Sequence, residues 1–113
     1  MKLTPTKTDG SITHVVLSGR LDIEGVHEVN VEFTSLVSSQ GLPAIVDLSD
    51  VPFISSLGMR MLLASAKTLK ARGSKMVLLK PQAIVKESLD IAGFCAIIPV
   101  AYDYENALKQ LSH

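Results

Sequence analysis

The chain has 113 residues, 47% of them hydrophobic, and its eleven basic residues balance eleven acidic ones to a formal net charge of zero. This length predicts one domain over residues 1–113, and the composition is that of a folded chain. Zero net charge argues against a general nucleic-acid binder. The longest apolar runs are far shorter than the ~20 residues of a membrane span, and the N-terminus lacks the apolar core of a signal peptide. We therefore expect a cytoplasmic protein without membrane insertion.

The first half of the chain changes from strand to helix patterns and back. Residues 2–8 and 11–18 are predicted as antiparallel strands joined by a tight turn at Asp9-Gly10. A helix is predicted from residue 23 to a stop at Gly41. Its apolar face comprises Val26, Val29, Phe33, Leu36 and Val37. Residues 44–48 form a short branched apolar run, which favours a central strand.

The second half repeats this alternation. Residues 57–71 are predicted as a helix with an apolar stripe of Met59, Leu62, Leu63, Ala66 and Leu69. Strands are predicted at 75–79 and 96–100. The helix between them has Pro81 in its first turn, Gly93 as its stop and an inner face of Ile84, Val85, Ser88, Leu89 and Ala92. Asp103 is expected to cap a last helix. This order predicts an α/β sandwich with a mixed sheet and about four helices.

Residue constellations that would support catalysis are missing from the sequence. His14, His27 and His113 have no metal-ligand spacing, and there is no nucleophile elbow or phosphate-binding glycine loop. The single cysteine, Cys95, excludes an intramolecular disulfide and is expected to be an inert thiol. Asp47 and Asp50 are compatible with either a cation site or turn capping. We expect no enzyme activity, metal or cofactor.

A serine pair marks the junction between a central strand and a helix. Ser55 or Ser56 falls where a helix N-cap is expected, and a structural capping role would explain either residue. The alternative is a phosphoacceptor, because a phosphate at this position would lie beside the positive end of the helix. Arg60 follows Ser56 by four residues and would share its helical face.

Three motifs resemble the STAS-domain family, specifically its anti-sigma factor antagonists. The family has Asp-Ser-Ser/Thr-Gly-Leu after an apolar strand and a short loop that ends in Phe-Ile or Phe-Met, and residues 53–59 (Phe-Ile-Ser-Ser-Leu-Gly-Met) lie in the same place. Residues 17–22 (Leu-Ser-Gly-Arg-Leu-Asp) match its Leu-x-Gly-x-Leu-Asp, and 92–94 (Ala-Gly-Phe) resemble the segment before its last strand. The resemblance covers nearly the whole chain and implies a single STAS domain with a STAS-like sandwich fold.

The resemblance implies a partner switch. In the family, the unmodified antagonist binds an anti-sigma factor that is also a serine kinase of the histidine-kinase-like ATPase fold. Phosphorylation releases that partner, and a PP2C-type serine phosphatase removes the phosphate. The family's acceptor serine aligns with Ser56. The residues implied in partner binding are Asp22, Ser55, Leu57, Gly58, Met59 and Arg60.

The sequence departs from the family pattern at two positions. Ser55 stands where the family has Asp, so Ser55 is a rival acceptor, and Leu57 replaces the usual second hydroxyl residue. In the family, Gly19 and Asp22 lie close to this loop, although a turn glycine and a capping carboxylate would explain both. An adaptor subunit of an ATP-binding-cassette lipid transporter, without a phosphoswitch, is the alternative function. Ligand sensing through Asp22 and Ser56 ranks third, and a monomer is the default expectation.

Overall fold

The structure is a computed structural model that describes residues 1–6, 11–38, 41–94 and 97–111. These residues form strands and helices in the order predicted for an α/β sandwich. The strands are β1 (Lys2–Thr6), β2 (Thr13–Ser18), β3 (Ala44–Asp50), β4 (Met76–Leu79) and β5 (Val100–Ala101). The helices are α1 (Ile23–Val37), α2 (Ser56–Ala71), α3 (Ala83–Ile91) and α4 (Tyr104–Leu111).

One mixed sheet carries the fold, with strand order β1-β2-β3-β4-β5. The first pair is antiparallel, with Leu3 opposite Leu17. The other neighbours are parallel, so β2, β3, β4 and β5 all end at the same edge of the sheet. This arrangement confirms the prediction of a mixed sheet with four helices. It also brings the loops that follow β2 and β3 together at that edge.

Alternate residues of the strands pack on opposite faces of the sheet. Val46, Leu48 and Leu78 belong to the main core, which also contains the buried residues of α1, α2 and α3. Ile45 and Val77 face the other way, into a smaller core covered by α4. Three helices therefore lie on one face of the sheet and α4 on the other.

Capping residues explain where most of the helices begin. Asp22 caps α1, and its Oδ1 accepts a hydrogen bond from the Gly25 amide at 2.8 Å. Asp103 Oδ1 accepts from the Asn106 amide at 2.7 Å, as expected for the start of α4. Ser55 caps α2, as described below. The N-cap of α3 is Gln82, whose side chain donates instead to the Ser49 carbonyl at 2.9 Å.

Several sequence-based predictions need correction. Within the strand predicted at 96–100, residue 96 lies outside the described residues, and the described ones are in a strand only from Val100, where β5 begins. Ile97 and Ile98 are not in a strand because their amides donate to the Phe94 carbonyl. Pro81 precedes the N-cap of α3 rather than occupying its first turn.

The apolar faces of α2 and α3 are rotated from those predicted. Met61 is buried, whereas Met59 and Leu63 are half-buried. Residues 57–63 are apolar at almost every position, so the sequence pattern does not define which side of the helix faces the core. Ile84 and Ala92 are exposed, so the inner face of α3 is narrower than expected. The predicted turn at Asp9-Gly10 and the predictions for Cys95 and His113 lie outside the described residues.

Candidate functional site at the start of α2

The loops that follow β2 and β3 are joined by backbone hydrogen bonds. The Gly19 amide donates to the Asp50 carbonyl at 2.9 Å, and the Leu21 amide donates to the Phe53 carbonyl at 2.9 Å. Leu21 also forms a parallel bridge with Ile54. The two loops therefore continue the parallel pairing of β2 and β3 beyond the sheet. Gly19 has a φ of 106°, a left-handed backbone conformation that favours glycine.

Ser55 uses its side chain to connect these two loops. Its Oγ donates a hydrogen bond to the Leu21 carbonyl at 2.9 Å and accepts one from the Gly58 amide at 3.1 Å. The Ser55 amide donates to the same Leu21 carbonyl, also at 2.9 Å. A serine hydroxyl has a single proton to donate. The hydroxyl of Ser55 is thus committed both to capping α2 and to holding the loop of Leu21.

Gly58 lets the first turn of α2 approach Leu21 closely. A Cβ at this position would lie 2.8 Å from the Leu21 Cγ and 2.9 Å from the Leu21 carbonyl oxygen. It would also lie 3.1 Å from Cγ1 of Ile54. Gly58 is buried, so it contributes close packing rather than surface area. Its predicted part in partner binding stays a prediction.

Ser56 has a different environment from Ser55. It is the first residue of α2 and is exposed, and its hydroxyl makes no hydrogen bond with any residue that the structure describes. The first turn of α2 contains no acidic residue. Unpaired amides at a helix N-terminus create a partial positive charge. Ser56 therefore presents an unengaged hydroxyl in a place that favours an anion.

Arginine side chains are present near both loops. Arg60 is exposed one turn after Ser56 on the same helix, as the sequence predicted. Arg20 lies with its guanidinium carbon 4.4 Å from the centre of the Phe53 ring, in a cation–π contact, and its Nε is 3.6 Å from Asp22 Oδ2. Sequence reasoning did not select Arg20 or Phe53. Arg20 lies in the 17–22 motif and Phe53 in the 53–59 motif, and these positions were the only sign in the sequence that the two residues belong to the site.

The other predicted contact residues differ in exposure. Asp22 is half-buried and its Oδ1 is occupied by capping α1. Leu57 and Met59 are half-buried and pack partly against the main core. Ile23, which the sequence analysis did not select, follows Asp22 with 61% of its surface exposed. The two loops and the first turns of α1 and α2 therefore expose both apolar side chains and arginines.

Metal-binding and membrane features are missing from the described part of the chain. No group of three or more His, Cys, Asp or Glu residues is placed there to hold a metal ion. Asp47 Oδ1 accepts a hydrogen bond from the Ser49 amide at 2.8 Å, which is a turn-capping contact. None of the described helices is both long and apolar enough to cross a bilayer.

The family model described as STAS domain matches residues 4–107. The chain belongs to the STAS domain family. BtrV of Bordetella bronchiseptica, provisionally named an anti-sigma factor antagonist, is 33% identical over 107 residues, which cover 95% of this chain and 91% of BtrV. Among STAS domains, this chain is thus of the anti-sigma factor antagonist type, a family of regulatory binding proteins.

Solved structures of STAS proteins share its fold. A Thermotoga maritima protein, also provisionally named an anti-sigma factor antagonist, has a TM-score of 0.88 at 17% identity, with 98% of this chain and 95% of that chain covered. The anti-sigma factor antagonist SpoIIAA in its unphosphorylated form has a TM-score of 0.80 at 17% identity, covering 98% and 96%. Phosphorylated SpoIIAA of Bacillus has a TM-score of 0.72 at 16% identity, covering 96% and 98%.

Proposed function

We propose that this STAS protein is a phosphorylation-controlled anti-sigma factor antagonist with Ser56 as its phosphoacceptor. The unmodified protein binds a serine kinase that is also an anti-sigma factor, of the histidine-kinase-like ATPase fold. Phosphorylation of Ser56 releases this partner, and a PP2C-type serine phosphatase restores binding. The protein acts as a single STAS domain and a cytoplasmic monomer. It contributes a surface and a hydroxyl group, while ATP and metal belong to its partners.

The observation that carries this proposal is the contrast between the two adjacent serines. Ser55 Oγ is hydrogen-bonded to the Leu21 carbonyl and the Gly58 amide, so transferring phosphate to it would break a helix cap and a loop contact. Ser56 is exposed and makes no hydrogen bond among the described residues, so its hydroxyl is accessible to a kinase. This difference supports Ser56 as the acceptor over its rival Ser55.

The position of Ser56 also supports a switch that leaves the fold intact. A phosphate carries a charge of about −1.5 to −2 at neutral pH. At the first residue of α2, this charge would be stabilised by the helix N-terminus and by Arg60. The same charge would alter an accessible surface that includes Ile23 and half-buried Leu57. A partner fitted to the unmodified surface would then have to desolvate a phosphate, which is unfavourable.

Two similarities add support. SpoIIAA, whose fold this chain shares, is known in unphosphorylated and phosphorylated forms. Ser55 stands at the position that is Asp in the family motif, and its side chain caps α2 as an Asp side chain would. The replacement therefore preserves the geometry that presents Ser56.

The experiment is copurification from the native cells with wild-type protein, Ser56→Ala and Ser56→Asp as baits. We expect wild type and Ser56→Ala to retain a kinase of the histidine-kinase-like ATPase fold, identified by mass spectrometry. Ser56→Asp should not retain it. Lys2→Gln, which changes an exposed residue of the edge strand β1, is the control and should bind as wild type does. Equal recovery of the kinase with all baits would contradict the switch. Recovery of a transporter ATPase, independent of residue 56, would favour the adaptor function.

A further inference from the structure

A second concave site lies at the opposite end of α2 from Ser56. A pocket of about 310 Å³ opens between the last turns of α2, the start of β4 and the 97–99 turn. At a rise of ~1.5 Å per residue, the α2 residues that line this pocket, Ala66 to Lys70, lie roughly 15–21 Å along the helix from Ser56. The pocket therefore does not belong to the proposed phosphorylation site.

Half of the residues that line the pocket are apolar. They are Ala66, Met76, Ile97 and Pro99. Met76 is buried, whereas Ile97 has 53% of its surface exposed although it is a large hydrophobic residue. Covering such a side chain removes apolar surface from water, so an apolar ligand would be favoured here.

The rim of the pocket is cationic. Lys67 and Lys70 line it from α2, and neither forms an ion pair with a residue that the structure describes. The 16 residues of α2 include no acidic side chain, and none of the lining residues is acidic. Lys70 lies in the last turn of α2, where its positive charge stabilises the negative end of the helix dipole. Lys67 lies almost one turn earlier, where the interaction with the helix dipole is weaker. Two like charges three residues apart repel each other, and an anion bound between them would relieve this repulsion.

Two further polar groups of the lining are already engaged. Lys75 Nζ donates to the Gln110 carbonyl at 3.1 Å, and Ser74 Oγ donates to the Gly41 carbonyl at 2.6 Å. These contacts hold Lys75 and Ser74 in place, and the charge of Lys75 adds to that of the exposed Lys67 and Lys70. The lining thus combines four apolar residues with exposed lysines of α2, which form a cationic rim.

From this pattern we propose that the pocket binds a small anionic amphiphile, namely a carboxylate on an apolar tail of about seven carbons. The tail contacts Met76 and Ile97, and the carboxylate lies between the ammonium groups of Lys67 and Lys70. A volume of about 310 Å³ lies at the lower end of the range of small-molecule pockets, which is roughly 300–1,000 Å³. Ligand pockets of this kind combine apolar walls with few charged groups.

The test is titration of the ¹⁵N-labelled protein with sodium octanoate, followed by amide chemical shifts. We expect saturable shifts centred on Met76, Ile97 and the last turn of α2. Acetate, which lacks the tail, and octanol, which lacks the charge, should bind about tenfold more weakly or worse. Lys67→Gln/Lys70→Gln should weaken octanoate binding about tenfold, whereas Lys2→Gln, on the far edge of the sheet, should not.

Four results would overturn the proposal. They are the absence of saturable shifts, equal affinity for octanol, unchanged affinity in the double variant, and shifts centred on the exposed α3 residues Ile84 and Ile91. If the double variant does not fold, the salt dependence of octanoate binding to the wild-type protein is measured instead. Octanoate affinity should then fall as salt rises while octanol affinity stays constant, and an octanoate affinity insensitive to salt would refute the cationic rim. Because Ser56 takes no part, this test is independent of the phosphoswitch.

Discussion

The side chain of Ser55 and the carbonyl of Leu21, 34 positions apart in the sequence, are joined by a hydrogen bond of 2.9 Å. This contact links the loop that starts α1 to the loop that starts α2. It also consumes the one hydroxyl proton of Ser55 and leaves Ser56 as the serine with an accessible hydroxyl. The local structure around the proposed switch thus depends on a residue that is not itself modified.

Replacing Ser55 should destabilise the protein, whereas replacing Ser56 should not. Ser55→Ala removes the cap of α2 and the contact with Leu21, and we expect the free energy of unfolding to fall by about 1–2 kcal/mol. Ser56→Ala alters an exposed side chain and should change it by less than about 0.5 kcal/mol. Urea unfolding followed by circular dichroism measures both. Equal stability of the two variants would refute the structural role of Ser55.

Substituting Gly58 should also lower stability, although alanine is the better helix former. Gly58→Ala gains about 1 kcal/mol in helix propensity. We expect this gain to be outweighed by a packing cost of about 1–3 kcal/mol, since the new Cβ would lie 2.9 Å from the Leu21 carbonyl oxygen. Ala64→Gly, at an exposed position of the same helix, calibrates propensity alone and should cost about 1 kcal/mol. A more stable Gly58→Ala protein would show that α2 and Leu21 are not in close contact.

Phosphorylation of Ser56 should not unfold the protein. A phosphate at the N-terminus of α2 should raise the free energy of unfolding by about 0.3–1 kcal/mol at low salt. Arg60→Gln should reduce this gain, and salt should screen it. The measurement compares unmodified protein with protein carrying phosphoserine incorporated at position 56. If the phosphorylated protein is less stable than the unmodified protein at low salt, the start of α2 at Ser56 is not a position that favours an anion.

His14 should make the fold sensitive to acid. Burial lowers the pKa of His14, an effect that the charge of Asp47 only partly offsets. Its Nε2 is buried with no hydrogen-bond partner among the described residues, and the centre of its ring is 5.5 Å from that of Tyr104. The unfolded chain, with a histidine pKa of about 6.5, therefore binds a proton more readily. The contribution of His14 to stability is fully present above pH ~6.5 and is lost as the pH falls through the lowered pKa.

Replacing His14 tests this dependence. Stability measured between about pH 7.5 and 5 should decline less steeply in His14→Phe than in the wild type. His27→Gln, which changes an exposed residue of α1, is the matched control and should leave the slope unchanged. An unchanged slope in His14→Phe would refute the assignment to His14.

The sequence predicted those parts of the fold that depend on local patterns. The starts of α1 and α2 follow from a helical period preceded by a capping side chain, Asp22 in one case and Ser55 in the other. The end of α1 does not, because the helix stops at Val37 and not at the predicted Gly41. The start of the last helix follows from Asp103 in the same way. Branched apolar runs predicted the central strands.

What the sequence could not predict depends on tertiary contacts. Ile97 and Ile98 are typical strand residues, yet they form a turn because their amides donate to the Phe94 carbonyl. The choice between Ser55 and Ser56 stayed open because the contact that distinguishes them is to Leu21, in the preceding strand–helix connection. The cation–π contact of Arg20 with Phe53 was missed for the same reason.

The most direct measurement of the central claim is phosphosite mapping by mass spectrometry on protein isolated from its native cells. Wild type, Ser56→Ala and Ser55→Ala would be compared under several growth conditions. We expect phosphate on Ser56 in the wild type, absent from Ser56→Ala and retained on Ser56 in Ser55→Ala. Phosphate on Ser55, or on neither serine in any condition, would contradict Ser56 as the switch.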